Sequence, residues 1–244
     1  MNDLDLIEFD NLVSKEVIRN KIIQVFTSFE RTKENPYNVR FPIIFKERNN
    51  EILVSIHPDF DINKLELVFK KIAQQNLYFP DIIYTFASNF NFKILEVNRY
   101  YSKCQKKVNK TNYNFFPKVS QSEIEFLNAN SSVSLSNIAF LNNNNKIYIH
   151  KIKNVIKGYG LVTRENEEFV EISITTLKKH RDQGVGFKIV DSMTKLINQK
   201  GKTVVYLTET QNISSNKIAL KCGYDFIGKE FIVFDKVKGE KSEE

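Results

Sequence analysis

Glycine is scarce in this chain of 244 residues, with eight in all, and two of them fall in the stretch Arg181-Asp-Gln-Gly184-Val-Gly186. Directly after it, Phe187, Ile189, Val190, Met193, Leu196 and Ile197 recur at helical spacing as far as Gly201, so the glycines stand at a helix start. A helix N-terminus leaves about four amide N–H groups unpaired and carries the positive end of the helix dipole, an arrangement that draws a phosphate or pyrophosphate. Glycine at 184 and 186 lets the backbone approach the anion and take up positive φ, and Arg181 and Lys188 add charge. The stretch has no Gly-Lys-Ser/Thr ending for a P-loop and no third glycine for a dinucleotide fingerprint, so mononucleotide hydrolysis is not expected. By itself the glycine pair fits equally well a tight strand-to-helix turn that binds nothing.

The other reactive side chains argue less. The two cysteines, Cys104 and Cys222, lie far apart with no second pair at metal-ligand spacing, so neither a disulfide framework nor a zinc site is expected. Cys222 has no histidine near it in sequence and reads as a packed thiol rather than a nucleophile. His180, between Lys179 and Arg181, reads as a phosphate-side contact rather than a base.

The elements that must position these residues can be traced outward from the loop. Lys146 to Lys151, Val155 to Thr163 and Glu168 to Thr176 read as successive strands of an antiparallel meander, and Thr203 to Thr208 as a further strand after the helix. A second helix follows through Asn212, Ser215 and Ile218 to Gly223 and Tyr224, and then the strand Phe231 to Phe234. Upstream, Tyr113 to Val119 predicts a short strand. Ser120 with Glu123 forms a capping box ahead of Ile124, Phe126 and Leu127. A weak helix at 136–141 and a four-asparagine turn at 142–145 come next.

All five prolines lie at or before Pro117 and all eight glycines at or after Gly158, so the chain divides into two unlike regions. In the first, Val17, Ile18, Ile22, Val25, Phe26 and Phe29 after Ser14 predict an amphipathic helix. Phe41 to Phe45 and Ile52 to Ile56 predict a hairpin, Leu65 to Ala73 a helix and Phe90 to Tyr101 a strand. The aromatic run from Tyr78 to Phe92 reads as core. The basic stretch 103–110 is the expected junction, dividing a domain at 1–109 from one at 110–237, with a charged disordered tail at 238–244.

The order strand, glycine loop, helix, strand, helix, Gly-aromatic, strand resembles the GCN5-related N-acetyltransferase (GNAT) superfamily. Its cofactor motif R/Q-x-x-G-x-G/A is matched by Arg181, Gly184 and Gly186, and its N-x-x-A/S-x-x-L…G-F/Y helix by Asn212, Ser215, Ile218, Gly223 and Tyr224. Within it, the chain looks most like the zwittermicin-resistance type. The resemblance spans about 110–236 and implies an α/β (α+β) fold: a mixed sheet whose central parallel strands splay apart, preceded here by a smaller N-terminal α/β domain.

The resemblance further implies acetyl-CoA as cosubstrate, with no metal. Its pantetheine arm would lie along Ile174, Thr175 and Thr176. Its pyrophosphate would lie on Arg181, Asp182, Gln183, Gly184, Val185 and Gly186, with Asn212 and Ser215 on the other side. Lys178 and Lys179 would meet the 3′-phosphate. The implied reaction is direct attack of a primary amine of a small molecule or peptide on the thioester, with Glu171 or Glu209 as base and Ser215 among the candidates for the acid. The chain departs from the family at Ala219, where a tyrosine that protonates the leaving thiolate usually stands. The alternative is a regulatory module that binds acetyl-CoA without turning it over.

Composition narrows the partners. With 41% hydrophobic and 27% charged residues the chain is globular rather than disordered, and no apolar run reaches the roughly 18–20 residues of a membrane span. The acidic start lacks the features of a secretory signal, which predicts a cytoplasmic protein with no membrane partner. The net charge of +7 favours anionic ligands, though nucleic acid is not the expected partner. Residues 1–109 carry no catalytic motif and are expected to shape the acceptor site or a contact such as that of a homodimer.

Overall fold

The computed structural model describes residues 11–18, 21–32, 42–48, 51–74, 79–102, 115–116, 119–130 and 146–235. The chain forms two compact units. One holds the described residues of Met1–Lys33, Val39–Val97 and Gly228–Glu244, the other those of Glu34–Asn38 and Asn98–Ile227. The division differs from a single cut near residue 109, because the chain's last strand finishes in the first unit. The expected junction at 103–110, the weak helix at 136–141, the asparagine turn and the tail lie outside the described residues.

The first unit contains β1 (Asn11–Ile18), β2 (Lys21–Thr27), β3 (Ile43–Arg48), β4 (Glu51–Ile56), α1 (Ile62–Gln74), α2 (Phe79–Asn89), the start of β5 (Phe92–Ser102) and the end of β11 (Tyr224–Asp235). Its strands run β1-β2-β4-β3-β11. The helix expected after Ser14 is instead the antiparallel hairpin β1–β2, in which Val17 pairs with Ile22. Val17, Ile18, Ile22, Ile23 and Val25 are β-branched, and Ile23 and Val25 alternate into the core while β2 pairs in parallel with β4. The β3–β4 hairpin, α1 and β5 form as the spacing predicts. Of the aromatic run, Phe79, Tyr84 and Phe86 fall in α2, whose Ile83 and Phe86 are fully buried with Phe45, Leu65 and Phe231. Lys46 and Glu230, opposite one another on β3 and β11, form an ion pair at 3.3 Å that is buried on both sides.

The second unit contains the end of β5, β6 (Phe115–Phe116), α3 (Gln121–Asn130), β7 (Ile147–Ile152), β8 (Val155–Glu165), β9 (Phe169–Thr176), α4 (Val185–Asn198), β10 (Thr203–Glu209), α5 (Ile213–Lys221) and the start of β11. Its strands run β10-β9-β8-β7-β6, with the Asn98–Ser102 end of β5 beside β10. The meander β7–β8–β9 is antiparallel throughout, and β9–β10 is parallel. The two faces of this sheet are buried differently. Val162, Val170, Ile172, Val204 and Tyr206 pack with Val185, Ile189, Val190 and Met193 of α4, whereas Tyr159, Leu161 and Leu177 pack with Ile124 and Leu127 of α3. The capping box before α3 is present: Glu123 N–H donates to Ser120 Oγ at 3.3 Å and Ser120 N–H to Glu123 Oε2 at 2.9 Å.

Two glycines on β8 let α4 lie close to the sheet. A Cβ on Gly158 would stand 2.5 Å from the Thr175 carbonyl oxygen and 2.9 Å from Ile189 Cδ1. One on Gly160 would stand 2.1 Å from Met193 Sδ. No described helix is long and apolar enough to cross a membrane.

Candidate functional site

The site lies where β9 and β10 part. Their parallel ladder has four rungs, Thr203↔Phe169, Val204↔Val170, Val205↔Glu171 and Tyr206↔Ile172. Beyond the last rung β9 continues to Thr176 and β10 to Glu209 without pairing to one another. On β9 the Leu177 N–H donates to Lys157 O on the β8 side, and the Glu168 carbonyl accepts from Thr203 N–H on the β10 side. Backbone groups alternate in direction along a strand, so those of Ile174 and Thr176 face the gap. Thr175, by the same alternation, is turned to β8. The expected three-residue edge therefore reduces to Ile174 and Thr176.

From Thr176 the chain passes through a 3₁₀ turn, Lys178–His180, into the loop ahead of α4. Arg181, Asp182, Gln183 and Gly184 are all exposed. Asp182 (φ 59°) and Gly184 (φ 72°) both take the left-handed conformation. Gly184 is the N-cap and provides no side-chain cap, and the first helical hydrogen bond is Lys188 N–H to Gly184 O. The amides of Gly184, Val185, Gly186 and Phe187 thus have no acceptor within the helix and remain available to an anion.

The two glycines have separate tasks. At Gly184 nothing lies within 4 Å of an added Cβ, so its requirement is conformational and the space around it is open. Gly186 is buried, and a Cβ there would meet Ile218 Cδ1 at 2.9 Å, Ile174 Cδ1 at 3.3 Å and Thr176 Oγ1 at 3.4 Å. Gly186 serves close packing of α4 on β9 and α5, while its amide stays among those at the helix start.

Basic groups surround the loop. Lys178, Lys179 and Lys188 are exposed, and Lys157 Nζ lies 3.4 Å from His180 Nδ1. Partial desolvation, with the nearby charges of Lys157 and Lys179, holds the His180 imidazole below its ordinary 6.5. Lys221 of α5 lies over the Phe187 ring in the first turn of α4, 4.8 Å from its centroid.

On the opposite wall, Asn212 caps α5 by accepting the Ser215 N–H at 3.0 Å. Its side-chain oxygen is thereby occupied with helix geometry. Ser215 is half-buried in the first turn of α5. Ala219 is fully buried in the cluster that holds Tyr206 and Tyr224.

The two candidate bases are placed unlike one another. Glu171 lies inside the zipped part of the ladder, its carboxylate bound by Arg164 Nη2 and Thr163 Oγ1, both at 2.7 Å. Glu209 is exposed at the end of β10, beyond the last rung. The structure brings Ile174, Thr176, Gly184, Ser215 and Glu209 to the parting of the strands, and it commits Glu171 elsewhere.

Two contributors had little or no signal in the sequence. Asn216 accepts from Asn98 Nδ2 (2.8 Å), Tyr100 OH (2.9 Å) and Thr208 Oγ1 (2.6 Å), and donates to the carbonyls of Glu209 (3.0 Å) and Asn212 (2.8 Å). Its β5 partners Asn98 and Tyr100 lie 118 and 116 residues away, which no local pattern reveals. Tyr206 alternates with Val204 and Thr208 on β10 and reads locally as an ordinary core aromatic.

Residues 161–233 match the family model described as FR47-like protein. No curated protein matches the chain. Among solved structures it is similar to an acetyltransferase of the GNAT family from Colwellia psychrerythraea, 17% identical over 75% of this chain and 76% of that one, with a TM-score of 0.51. It is similar to a functionally unknown conserved protein from Staphylococcus epidermidis ATCC 12228, 13% identical over 97% and 98%, with a TM-score of 0.49. A shorter match is yncA of Salmonella typhimurium, whose structure contains its cofactor acetyl-CoA, 17% identical over 39% and 66%, with a TM-score of 0.31. The first of these and the β9–β10 geometry agree: the fold is that of the GNAT acetyltransferases, with its FR47-like segment at residues 161–233.

Proposed function

We propose that this chain moves an acetyl group from acetyl-CoA to a primary amine of a small molecule or peptide by direct attack on the thioester. The observation that carries this reading is the parting of β9 and β10 after Tyr206↔Ile172, with the uncapped, Gly184-led N-terminus of α4 beside it. An extended amide-bearing arm fits the edge at Ile174 and Thr176 as an added strand would, and a pyrophosphate fits the open amides from Gly184 to Phe187. Arg181, Lys178 and Lys179 supply cationic charge for the phosphates. Acetyl-CoA supplies the activated acyl group. The protein's part is to hold it, to orient the thioester at the parting and to move protons.

The amine must lose a proton and the oxyanion must be stabilised. Glu209, exposed and past the last rung, is the base of this reading, directly or through a water, because Glu171 is held by Arg164 and Thr163. The finer likeness to the zwittermicin-resistance type and a homodimer belong to the same reading.

A second reading, a regulatory module that binds acetyl-CoA without transfer, draws on Ala219, which leaves α5 without the family's phenol. Titration with acetyl-CoA followed by thiol release across amine classes separates the two. Transfer gives thiol release dependent on an amine, the module gives thermal stabilisation with no release, and an absence of both refutes either reading.

A further inference from the structure

Asn216 makes six hydrogen bonds through one side-chain amide: Oδ1 accepts from Asn98 Nδ2 at 2.8 Å, Tyr100 OH at 2.9 Å and Thr208 Oγ1 at 2.6 Å, and Nδ2 donates to the carbonyls of Glu209 at 3.0 Å, Thr210 at 3.3 Å and Asn212 at 2.8 Å. Backbone carbonyls only accept, so the nitrogen must face them and the oxygen the hydroxyls. The cap of α5 is already supplied by Asn212, which accepts the Ser215 N–H. The bonds of Asn216 therefore exceed what starting the helix requires.

Those bonds end at the edge of the gap. The Thr176 amide faces β10, and the acceptor in line with it is the Glu209 carbonyl, because the ladder Val205↔Glu171, Tyr206↔Ile172 continued in register brings the two together. A carbonyl oxygen has two lone pairs. At Glu209 the Asn212 N–H takes one and Asn216 Nδ2 the other, both at 3.0 Å, so the Thr176 amide finds no acceptor there. The same amide is the donor that an extended chain laid along Ile174 and Thr176 would use. We infer that Asn216, held by Asn98 and Tyr100 of β5 and Thr208 of β10, is a positioning residue that reserves the Thr176 amide for the arm of acetyl-CoA; this rests on the acetyl-CoA reading above and holds for transfer and for the module alike.

The supports of Asn216 give the region before residue 109 a part in the cofactor site. Asn98 and Tyr100 lie on the end of β5 that belongs to the second unit, beside β10. Tyr100 is buried, its ring meeting Phe226 edge-on with centroids 5.6 Å apart, and Thr208 is buried as well, so both hydroxyls are held against Asn216 Oδ1 out of bulk water. An amide whose oxygen is fixed by three donors cannot turn, and its nitrogen stays on the Glu209 carbonyl. Without Asn216 one lone pair of that carbonyl is open. The Thr176 amide then fills it, which closes the gap at the end nearest Gly184, where the arm enters.

The test is Asn216→Ala, read with two probes and one amide. Acetyl-pantetheine has the arm without the phosphates, and adenosine 3′,5′-bisphosphate has phosphates without the arm. Expected are acetyl-pantetheine binding weakened about 10-fold, the worth of one hydrogen bond, and bisphosphate affinity within about twofold of wild type. In amide hydrogen exchange followed by NMR, Thr176 is open in the free wild type and protected about 10-fold or more by acetyl-CoA, whereas in Asn216→Ala it is protected before any ligand is added. The double variant Tyr100→Phe/Thr208→Val keeps both side-chain shapes and removes two of the three donors to Oδ1. It gives the same pattern at smaller size, with acetyl-pantetheine about threefold weaker, so the test stands if Asn216→Ala does not fold. A Thr176 amide that exchanges faster in the variants, or a bisphosphate affinity that falls together with that for acetyl-pantetheine, marks a structural role alone and overturns the assignment. So does a Thr176 amide left unprotected in wild type saturated with acetyl-CoA. A wild type that binds no acetyl-CoA removes the reading on which this one rests.

Discussion

Gly184 allows the anion-site argument to be tested by backbone conformation alone. At φ 72° and ψ 10° an L-residue with a Cβ is strained by about 1–2 kcal/mol. Nothing within 4 Å of an added Cβ contributes a clash, so this strain is the whole local effect of Gly184→Ala. The loop relieves it by leaving positive φ, which turns the amides of 184–186 away from their common direction. A 1–2 kcal/mol bias corresponds to a factor of about 5–30 in population, and apparent affinity falls by the fraction that is binding-competent. Gly184→Ala is therefore expected to weaken acetyl-CoA about 5–30-fold in isothermal titration. Gly184→Asn, whose side chain tolerates the left-handed region, should stay within about threefold of wild type. Gly184→Glu adds a carboxylate against the phosphates and should be the weakest. Acetyl-pantetheine, which lacks the pyrophosphate, should bind all four proteins alike. Equal acetyl-CoA affinity for the alanine variant and wild type, or an equal loss for acetyl-pantetheine, refutes the reasoning.

Three further outcomes follow from the packing and the charges. Gly158→Ala drives a methyl to 2.5 Å from a backbone oxygen of β9 and should cost about 3 kcal/mol, whereas Gly160→Ala meets side chains, the flexible Met193 thioether and Ile189 Cγ2 at 3.2 Å, and should cost nearer 1. Melting temperatures, which move by about 2–4 °C per kcal/mol at this chain length, would rank the pair, and the reverse order would refute the argument. Asn216→Ala strips partners from Tyr100, Thr208 and Asn98 and should cost about 2–4 kcal/mol in urea unfolding, at roughly 1–3 per unsatisfied group with water recovering part; a change under about 0.5 would contradict it. Lys151 holds the Glu123 carboxyl below its ordinary 4.5, and although burial pushes Glu165 up, hydrogen bonds from Lys146 and Lys202 outweigh it and hold that carboxyl low as well. A depressed carboxyl contributes stability that is complete above pH 4.5 and is lost as pH falls through the lower folded value. The urea midpoint should accordingly drop from pH 5 to pH 3, less steeply in Glu165→Gln, and equal slopes would remove Glu165 from the account.

Local order was legible wherever one element settled its own form. The helix after Gly184 follows from apolar residues at 3.6 spacing, and the cap of α3 from Ser120 and Glu123 alone. The first unit shows where such reading fails. Val17, Ile18, Ile22 and Val25 satisfy a helical period, yet Ile23 and Val25 also satisfy a period of two, and the choice falls to the parallel pairing of Lys21–Thr27 with Glu51–Ile56. That pairing lies some 30 residues away and has no local trace. Glu171 was a reasonable base by residue type, but only the register with β8 shows that Arg164 stands opposite it. The packing need at Gly186 had no local trace, because its neighbours Ile218 and Ile174 come from different elements.

The parting of β9 and β10 has a cause in α5. Continued in register past Tyr206↔Ile172, the ladder would bring the Glu209 carbonyl to the Thr176 amide. That carbonyl is already taken: it accepts the Asn212 N–H and the Asn216 Nδ2, both at 3.0 Å. Asn216 is in turn fixed by the hydroxyls of Tyr100 and Thr208, so the turn into α5 is tied to β5 and β10 together. The acceptor that would close the sheet is turned into a helix cap, and the Thr176 amide is left facing the gap. Hydrogen-bond competition at this carbonyl thus keeps the Thr176 end of the gap from closing.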